Sequence, residues 1–266
     1  MDHPRRRLLK RSAMAGAGAL AANALPVHAQ SPGDVLFPSA GSFIPVLGTS
    51  QRFQVRRIYC VGRNYAAHAI ERGSDPTREP PFFFQKPTDA IQLVPQGTTV
   101  DHPYPPLTQN YHYEVELVAA LGKGGRSIPA DKALECVYGY AVGLDMTRRD
   151  LQNMMAAEKK PWEIGKSFDH AAVVSHLHPA TRTGPFDKGA IWLKVNGATK
   201  QSSDLSKMIW SVAEQVSHLS KYYELFPGDI IYSGTPENVG PVVAGDVMQG
   251  HIDGLYDISV KVVTAA

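Results

Sequence analysis

Apolar residues fall in short runs along this chain, most of them alternating with polar ones or flanked by turn residues. Strand-like runs occupy 58–61, 81–85, 114–121, 138–145, 191–195, 229–233 and 258–263, rich in Val, Ile, Tyr and Phe. Asn196-Gly197 predicts a hairpin turn and Pro227-Gly228-Asp229 a second tight turn. Helical periodicity is convincing in one stretch. Leu205, Met208, Ile209, Val212, Val216 and Leu219 recur at three- and four-residue steps behind Ser203 or Asp204 as the cap, which predicts an amphipathic helix with Met208 and Trp210 as packing residues. A shorter helix is predicted to open at Thr147, where Thr147 and Asp150 have capping-box spacing. Many strands, few helices and no strand–helix–strand alternation predict an α+β, mainly-β fold. Residues 30–52, with their Pro, Gly and Ser, read as an extended lead-in or edge strand, and 53–266 as the catalytic domain.

The formal charge of +2 is unevenly distributed. Residues 1–29 hold Arg5, Arg6, Arg7, Lys10 and Arg11 against Asp2, so the rest of the chain is slightly acidic, and the basic pI of the whole chain gives no argument for nucleic acid as a partner. Arg5-Arg6-Arg7 precedes a weakly apolar Ala- and Gly-rich run, 13–25, too short to span a bilayer, and Val27-His28-Ala29 suits a cleavage site. This reads as a twin-arginine-type signal peptide over 1–29, predicting export, for instance to a periplasm, with no membrane contact once the signal is removed. If the leader does not function, the expectation is a cytoplasmic protein. Cys60 and Cys136 are far apart and lack metal spacing, so a buried free thiol is expected at Cys60, with a disulfide left open by export.

The candidate chemistry is carried by carboxylates. Glu114 and Glu116 sit two apart among Val115, Leu117 and Ala119, so on a strand both point to one face. Like charges held together either take up a proton or share a cation. Asp145, closing the run from Tyr138, is a third candidate ligand, and an all-oxygen set selects a hard ion: Mg²⁺, Mn²⁺ or, as a further option, Ca²⁺. The same Glu-x-Glu pair also fits a solvated edge strand. His68 and Glu71, three apart, share a face of a helical turn, either as a general base with its orienting carboxylate or as a surface ion pair. Arg149 and Gln152 would stand beside the ion and suit a carboxylate or carbonyl, while Lys166 fits that site or the surface. Ser233-Gly234-Thr235-Pro236 reads as an anion cradle or an ordinary turn. No phosphate loop or dinucleotide glycine pattern is present.

Together these segments resemble the fumarylacetoacetate hydrolase superfamily and, within it, the acylpyruvate hydrolases. The resemblance rests on Tyr59-Cys60-Val61-Gly62-Arg63-Asn64-Tyr65, Tyr113-Glu114-Val115-Glu116-Leu117, Gly143-Leu144-Asp145-Met146-Thr147, Arg149-Asp150-Leu151-Gln152, Gly165-Lys166-Ser167-Phe168 and Ser233-Gly234-Thr235-Pro236. It implies a β-roll, a homodimer, a divalent ion on Glu114, Glu116 and Asp145, and a His68–Glu71 pair closing over substrate. It also assigns Lys166, Gln152 and Arg149 to substrate polarisation and Thr235 to carboxylate binding. The expected activity is metal-dependent hydrolysis of a C–C bond in a small 2,4-diketo acid. Segments 73–76 and 79–87 resemble the fumarylpyruvate hydrolases of gentisate degradation, an aromatic catabolic route. A fumaryl group would call for a cation at its far end, with Arg72 and Arg78 as candidates. Tyr113 departs from the pattern, standing beside the carboxylates where relatives commonly have His. The alternatives are an oxaloacetate decarboxylase or 2-keto acid isomerase of the same superfamily and, in another class, a secreted non-catalytic metal- or keto-acid-binding protein.

Overall fold

The strand runs assemble around two long antiparallel neighbours, Val115–Leu121 and Val137–Asp145, in an eight-stranded sheet. The computed structural model describes residues 36–37, 41–73 and 79–264; the 1–29 leader, the first part of the lead-in and Arg78 lie outside them. Residues from Gly41 onward form one compact unit. The order across the sheet is Phe82–Lys86, Arg57–Gly62, Asp229–Tyr232, Val115–Leu121, Val137–Asp145, Ala172–Val174 and Ile91–Leu93, with His178–Pro179 also paired to Val137–Asp145. Every residue of Val115–Leu121 is buried, which is why its run is continuously apolar apart from the carboxylate face.

A second sheet runs Ala198–Asp204, Ala190–Val195, Val247–Ile252, Ile258–Val263 and Val100–Pro103. The two sheets curl onto one another: a Cβ added at Gly250 of the second would lie 3.4 Å from Val115 of the first. The fold is mainly β with a few helices, as the α+β reading and the β-roll expectation required. Asn196 (φ 52°) and Gly197 (φ 79°) make the expected hairpin turn between Ala190–Val195 and Ala198–Asp204.

Three expectations are corrected. The amphipathic helix does not begin behind Ser203 or Asp204. Asp204 caps only a short 3₁₀ turn, Leu205–Lys207, and the α-helix is Val212–Tyr222, opened by a reciprocal box in which Ser211 and Glu214 cap each other's backbone. Two reciprocal hydrogen bonds fix the start more firmly than the apolar period does. Thr147 is likewise not a cap: Thr147–Arg148 pairs with Tyr111–His112 as a short strand and the helix is Arg149–Ala157. Asp150 instead accepts hydrogen bonds from Thr108 and the Gln109 and Leu151 amides. Finally, Phe43–Pro45 pairs with Arg52–Gln54, so the boundary drawn at Phe53 falls inside a hairpin whose Ile44 is fully buried. Strands such as Val247–Ile252 and Ala172–Val174 escaped the sequence reading because Gly, Gln and His interrupt one and the other spans only three residues.

Candidate active site

Strand register builds the floor of the site. Val115 pairs with Leu144 and Glu116 with Gly143, which places Glu114 opposite Asp145, whose amide donates to the Glu114 carbonyl at 2.9 Å. Residues facing each other across an antiparallel pair share a face. The carboxyl oxygens of Glu114, Glu116 and Asp145 accordingly lie within 4.8 Å of one another, each residue at most 4% exposed. A solvated edge strand is excluded.

Cations surround the cluster. Lys166 Nζ donates to Glu114 Oε2 at 2.6 Å and to Asp145 Oδ2 at 2.8 Å. Arg149 donates to Glu114 Oε1 and, at 2.5 Å, to Gln152 Oε1. Lys86 stands 2.8 Å from Asp145 Oδ1, which accepts no hydrogen bond despite this ion pair, and it also donates to the Lys166 carbonyl. Burial works against ionisation of Glu114, but Lys166 and Arg149 outweigh it and hold the carboxyl well below its usual range. Glu116 goes the other way. Burial first, then the charges of Asp145 and Glu114, push it well above that range, although it accepts the Gly234 amide at 2.8 Å. An Asp145 oxygen that accepts no hydrogen bond, beside a Glu116 carboxyl whose ionisation is opposed by burial and by the charges of Asp145 and Glu114, is the environment that a shared cation relieves. The donor set fits a hard divalent ion.

Lys166 is delivered by a tight approach. It ends the one-turn helix Glu163–Lys166, whose Gly165 lies so close to the Arg149–Ala157 helix that an added Cβ would meet Gln152 N at 2.7 Å. It is a buried lysine, and its two carboxylate partners overcome the cost of burial to raise its pKa. The surface alternative is excluded.

The roof is the short helix Ala66–Glu71. Its His68 is 5% exposed and faces Glu71 Oε2 through Nδ1 at 3.0 Å. Burial opposes ionisation of Glu71, but His68 and the Asn238 amide together hold its pKa below the ordinary value. An ionised acceptor at Nδ1 fixes the proton there and leaves Nε2 as the basic nitrogen. A cavity of about 150 Å³ connects roof and floor, with His68, the three carboxylates, Arg149, Gln152, Lys166 and Thr235 all in its wall. The sequence-predicted residues are thus brought together, except that Glu71 sits behind His68 and Arg78 is outside the described residues. The 233–236 loop gives less cradle than expected. Its Gly234 amide is committed to Glu116, and the Thr235 hydroxyl accepts from Gln201 Nε2 at 2.9 Å, keeping its own proton to donate. Tyr113 packs beside Gly240, where an added Cβ would lie 2.6 Å from its hydroxyl.

The profile described as "Fumarylacetoacetate (FAA) hydrolase C-terminal" matches residues 57–263. The chain belongs to the fumarylacetoacetate hydrolase family. Fumarylpyruvate hydrolase of Ralstonia sp is 49% identical over 191 residues, covering 72% of this chain and 97% of that one. The human mitochondrial oxaloacetate tautomerase FAHD1 is 40% identical over 207 residues, 78% of this chain and 91% of that one. Fumarylpyruvate hydrolase from Pseudomonas aeruginosa, crystallised with Mn²⁺ and pyruvate, superposes with a TM-score of 0.86 at 56% identity, covering 87% of this chain and 100% of that one.

Three residues around this site escaped the sequence reading. Lys86 ends an exposed-looking aromatic strand, and only its position just before Pro87 marked it. His112 accepts from Arg149 Nε at 3.3 Å; burial, aided by that guanidinium, pulls its pKa down to about 4, so it is neutral. Gln201 reaches across from the second sheet, accepting the Val115 amide and donating to Thr235 and the Pro236 carbonyl, with no local pattern to announce it.

Proposed function

We propose that this protein hydrolyses acylpyruvates, with fumarylpyruvate cleaved to fumarate and pyruvate, at a Mg²⁺ or Mn²⁺ site formed by Glu114, Glu116 and Asp145. The observation that carries the reading is one cavity holding a buried three-carboxylate cluster and a carboxylate-oriented histidine. When bound, the divalent ion supplies Lewis acidity to the carboxylate and keto oxygens of a 2-keto acid. Lys86, Lys166 and Arg149, ion-paired with Asp145 and Glu114, equal in number the three carboxylates once Glu116 is ionised on the ion, so a divalent ion leaves the floor with two positive charges in excess, suited to a carboxylate plus an enolate.

The chain's own groups supply the remaining steps. His68, oriented by Glu71, takes a proton from a water molecule that attacks the distal carbonyl. The resulting oxyanion meets the Gln152 amide, whose oxygen is turned to Arg149 and whose N–H groups have no partner among the described residues, and the third N–H of Lys166. Breaking the C–C bond releases a carboxylic acid and the enolate of pyruvate, which Arg149 helps to hold and which then takes up a proton. Thr235 donates to the substrate carboxylate. A non-catalytic binding protein would have no use for a buried, oriented His68.

The same floor without the water step would serve oxaloacetate decarboxylation or tautomerisation, the reading favoured by the likeness to the tautomerase. Turnover of fumarylpyruvate, acetylpyruvate and oxaloacetate by purified protein with Mn²⁺ or Mg²⁺ decides between them: hydrolysis is expected to dominate, and conversion of oxaloacetate alone would overturn it. A homodimer is proposed as well, supported by an apolar hollow of Tyr104, Pro105, Pro106 and Val243 beside Leu107, which is 84% exposed. Light scattering should give twice the chain mass. Export through residues 1–29 is proposed from Arg5-Arg6 and the Ala-rich run; cell fractionation finding intact chain only in the cytoplasm would discard it.

A further inference from the structure

The cavity has two ends with different charge. At the floor every cation is matched by a carboxylate, and the triad is at most 4% exposed. At the mouth stand two more guanidinium groups, Arg72 and Arg63, which line the same cavity. Among the described residues neither forms an ion pair. Arg72 is half-buried, and its Nη2 donates to Asn153 Oδ1 at 2.7 Å. A neutral amide oxygen aims the guanidinium without cancelling its charge. Arg63, held at φ 57°, places its guanidinium 5.6 Å over the Phe82 ring. Between floor and mouth, Phe84 and Trp162 give the cavity flat aromatic walls. Burial and then the nearby charge of Arg149 act against the cation on Arg72, with Glu114 and Glu71 offsetting only part, and an anion arriving there would meet a guanidinium whose hydrogen-bond partner is a neutral amide.

We infer that Arg72, aimed by Asn153 and supported by Arg63, receives a carboxylate at the acyl end of the substrate, so that the enzyme selects acylpyruvates whose acyl group is flat and ends in a second carboxylate. The inference rests on the acylpyruvate reading above and names the part of the cavity that chooses among acylpyruvates. Arg149 and Thr235 serve the pyruvate end; Arg72 serves the other.

The experiment compares wild type with Arg72→Met, Arg72→Lys and Asn153→Ala, all loaded with Mn²⁺. The readout is the ratio of kcat/KM for fumarylpyruvate over acetylpyruvate. A charge-assisted bidentate contact predicts that Arg72→Met lowers this ratio about 10- to 100-fold, through KM more than kcat. Arg72→Lys, which keeps the charge but not the fork, should retain part of the preference, and Asn153→Ala should lower it severalfold. Calorimetric binding of fumarate, which needs no turnover, should weaken by a similar factor in Arg72→Met. A ratio and a fumarate affinity that both stay at wild-type values in a folded Arg72→Met overturn the inference while leaving the acylpyruvate reading intact. Failure of the wild type to cleave either acylpyruvate, with fumarate binding still dependent on Arg72, would sink the reaction and keep the anion subsite.

Discussion

The floor and the roof of the cavity are built by opposite means. Glu116 and Asp145 ride on two paired strands at the middle of an eight-stranded sheet, with Glu114 just before the first of them, and their positions follow from register. His68 rides on a six-residue helix with no side-chain cap, whose Ile70 is 61% exposed and which is tied to the rest of the chain by buried Ala69 and by Glu71 accepting the Asn238 amide. Below about a dozen residues a helix has little stability of its own. The difference teaches which half of the chemistry is fixed before substrate arrives. Ion binding needs three oxygens held apart against their repulsion, which only a rigid sheet provides; water activation needs a base that can adjust as the cavity fills.

Altering the floor should therefore have the largest effect. Glu116→Gln removes the charge that a divalent ion would recruit, while the amide still accepts from Gly234. Calorimetry should find divalent-ion binding lost and turnover should be undetectable, with the melting temperature near that of the wild type. Undiminished ion affinity would remove Glu116 from the ligand set. At the roof, His68→Ala should lower hydrolysis by about 10² to 10⁴, the usual contribution of a general base, with ion binding unchanged. Oxaloacetate decarboxylation surviving in that variant would show that the base serves only the water step.

Gly165→Ala probes the joint between the Lys166 turn and the floor helix. The added methyl meets Gln152 N at 2.7 Å, so roughly 1–3 kcal/mol of stability should be lost to overpacking, together with part of kcat as Lys166 shifts. Thermal unfolding and steady-state kinetics measure both, and an unchanged Tm would mean the two helices can part freely. The smallest effect concerns pH at the roof. Glu71 has a folded-state pKa below its ordinary 4.5, so its contribution is fully present above that value and fades as pH falls through the lower folded one. Hydrogen exchange, corrected for intrinsic rates, should show protection of Ala66–Glu71 declining over that acid window before protection of Val115–Leu121 does. Simultaneous loss would place both halves in one cooperative unit.

The same contrast governs what the sequence could reveal. A period of two carries direct information about which side chains share a face, so the Glu114–Glu116 pair was legible from a few residues, and Asp145 at the end of a second apolar run completed it. Lys166, Lys86 and Gln201 carry no such mark. Each is a polar residue whose burial depends on a contact made far along the chain: Gly165 against Gln152, Lys86 against Asp145, Gln201 against Val115. Helix starts were misplaced for a related reason. Apolar period says where a helix packs, whereas the Ser211–Glu214 cap says where it begins. The family likeness placed Lys166 where local pattern could not, and it included Arg63 in one of its segments without giving it a role.

The parallel pairing of Arg57–Gly62 with Asp229–Tyr232 also sets an order in time. Strand Asp229–Tyr232 separates Arg57–Gly62 from Val115–Leu121, so the middle of the sheet is incomplete until nearly the whole chain has been synthesised. At ordinary ribosomal speeds, Arg57 waits about ten to thirty seconds for its neighbour Asp229. During that interval two strongly apolar strands have exposed edges, and pairings so distant in sequence form slowly even once both partners exist. The nascent chain thus carries these open edges through most of its synthesis, and the sheet around the carboxylate pair closes only after residue 232 has emerged.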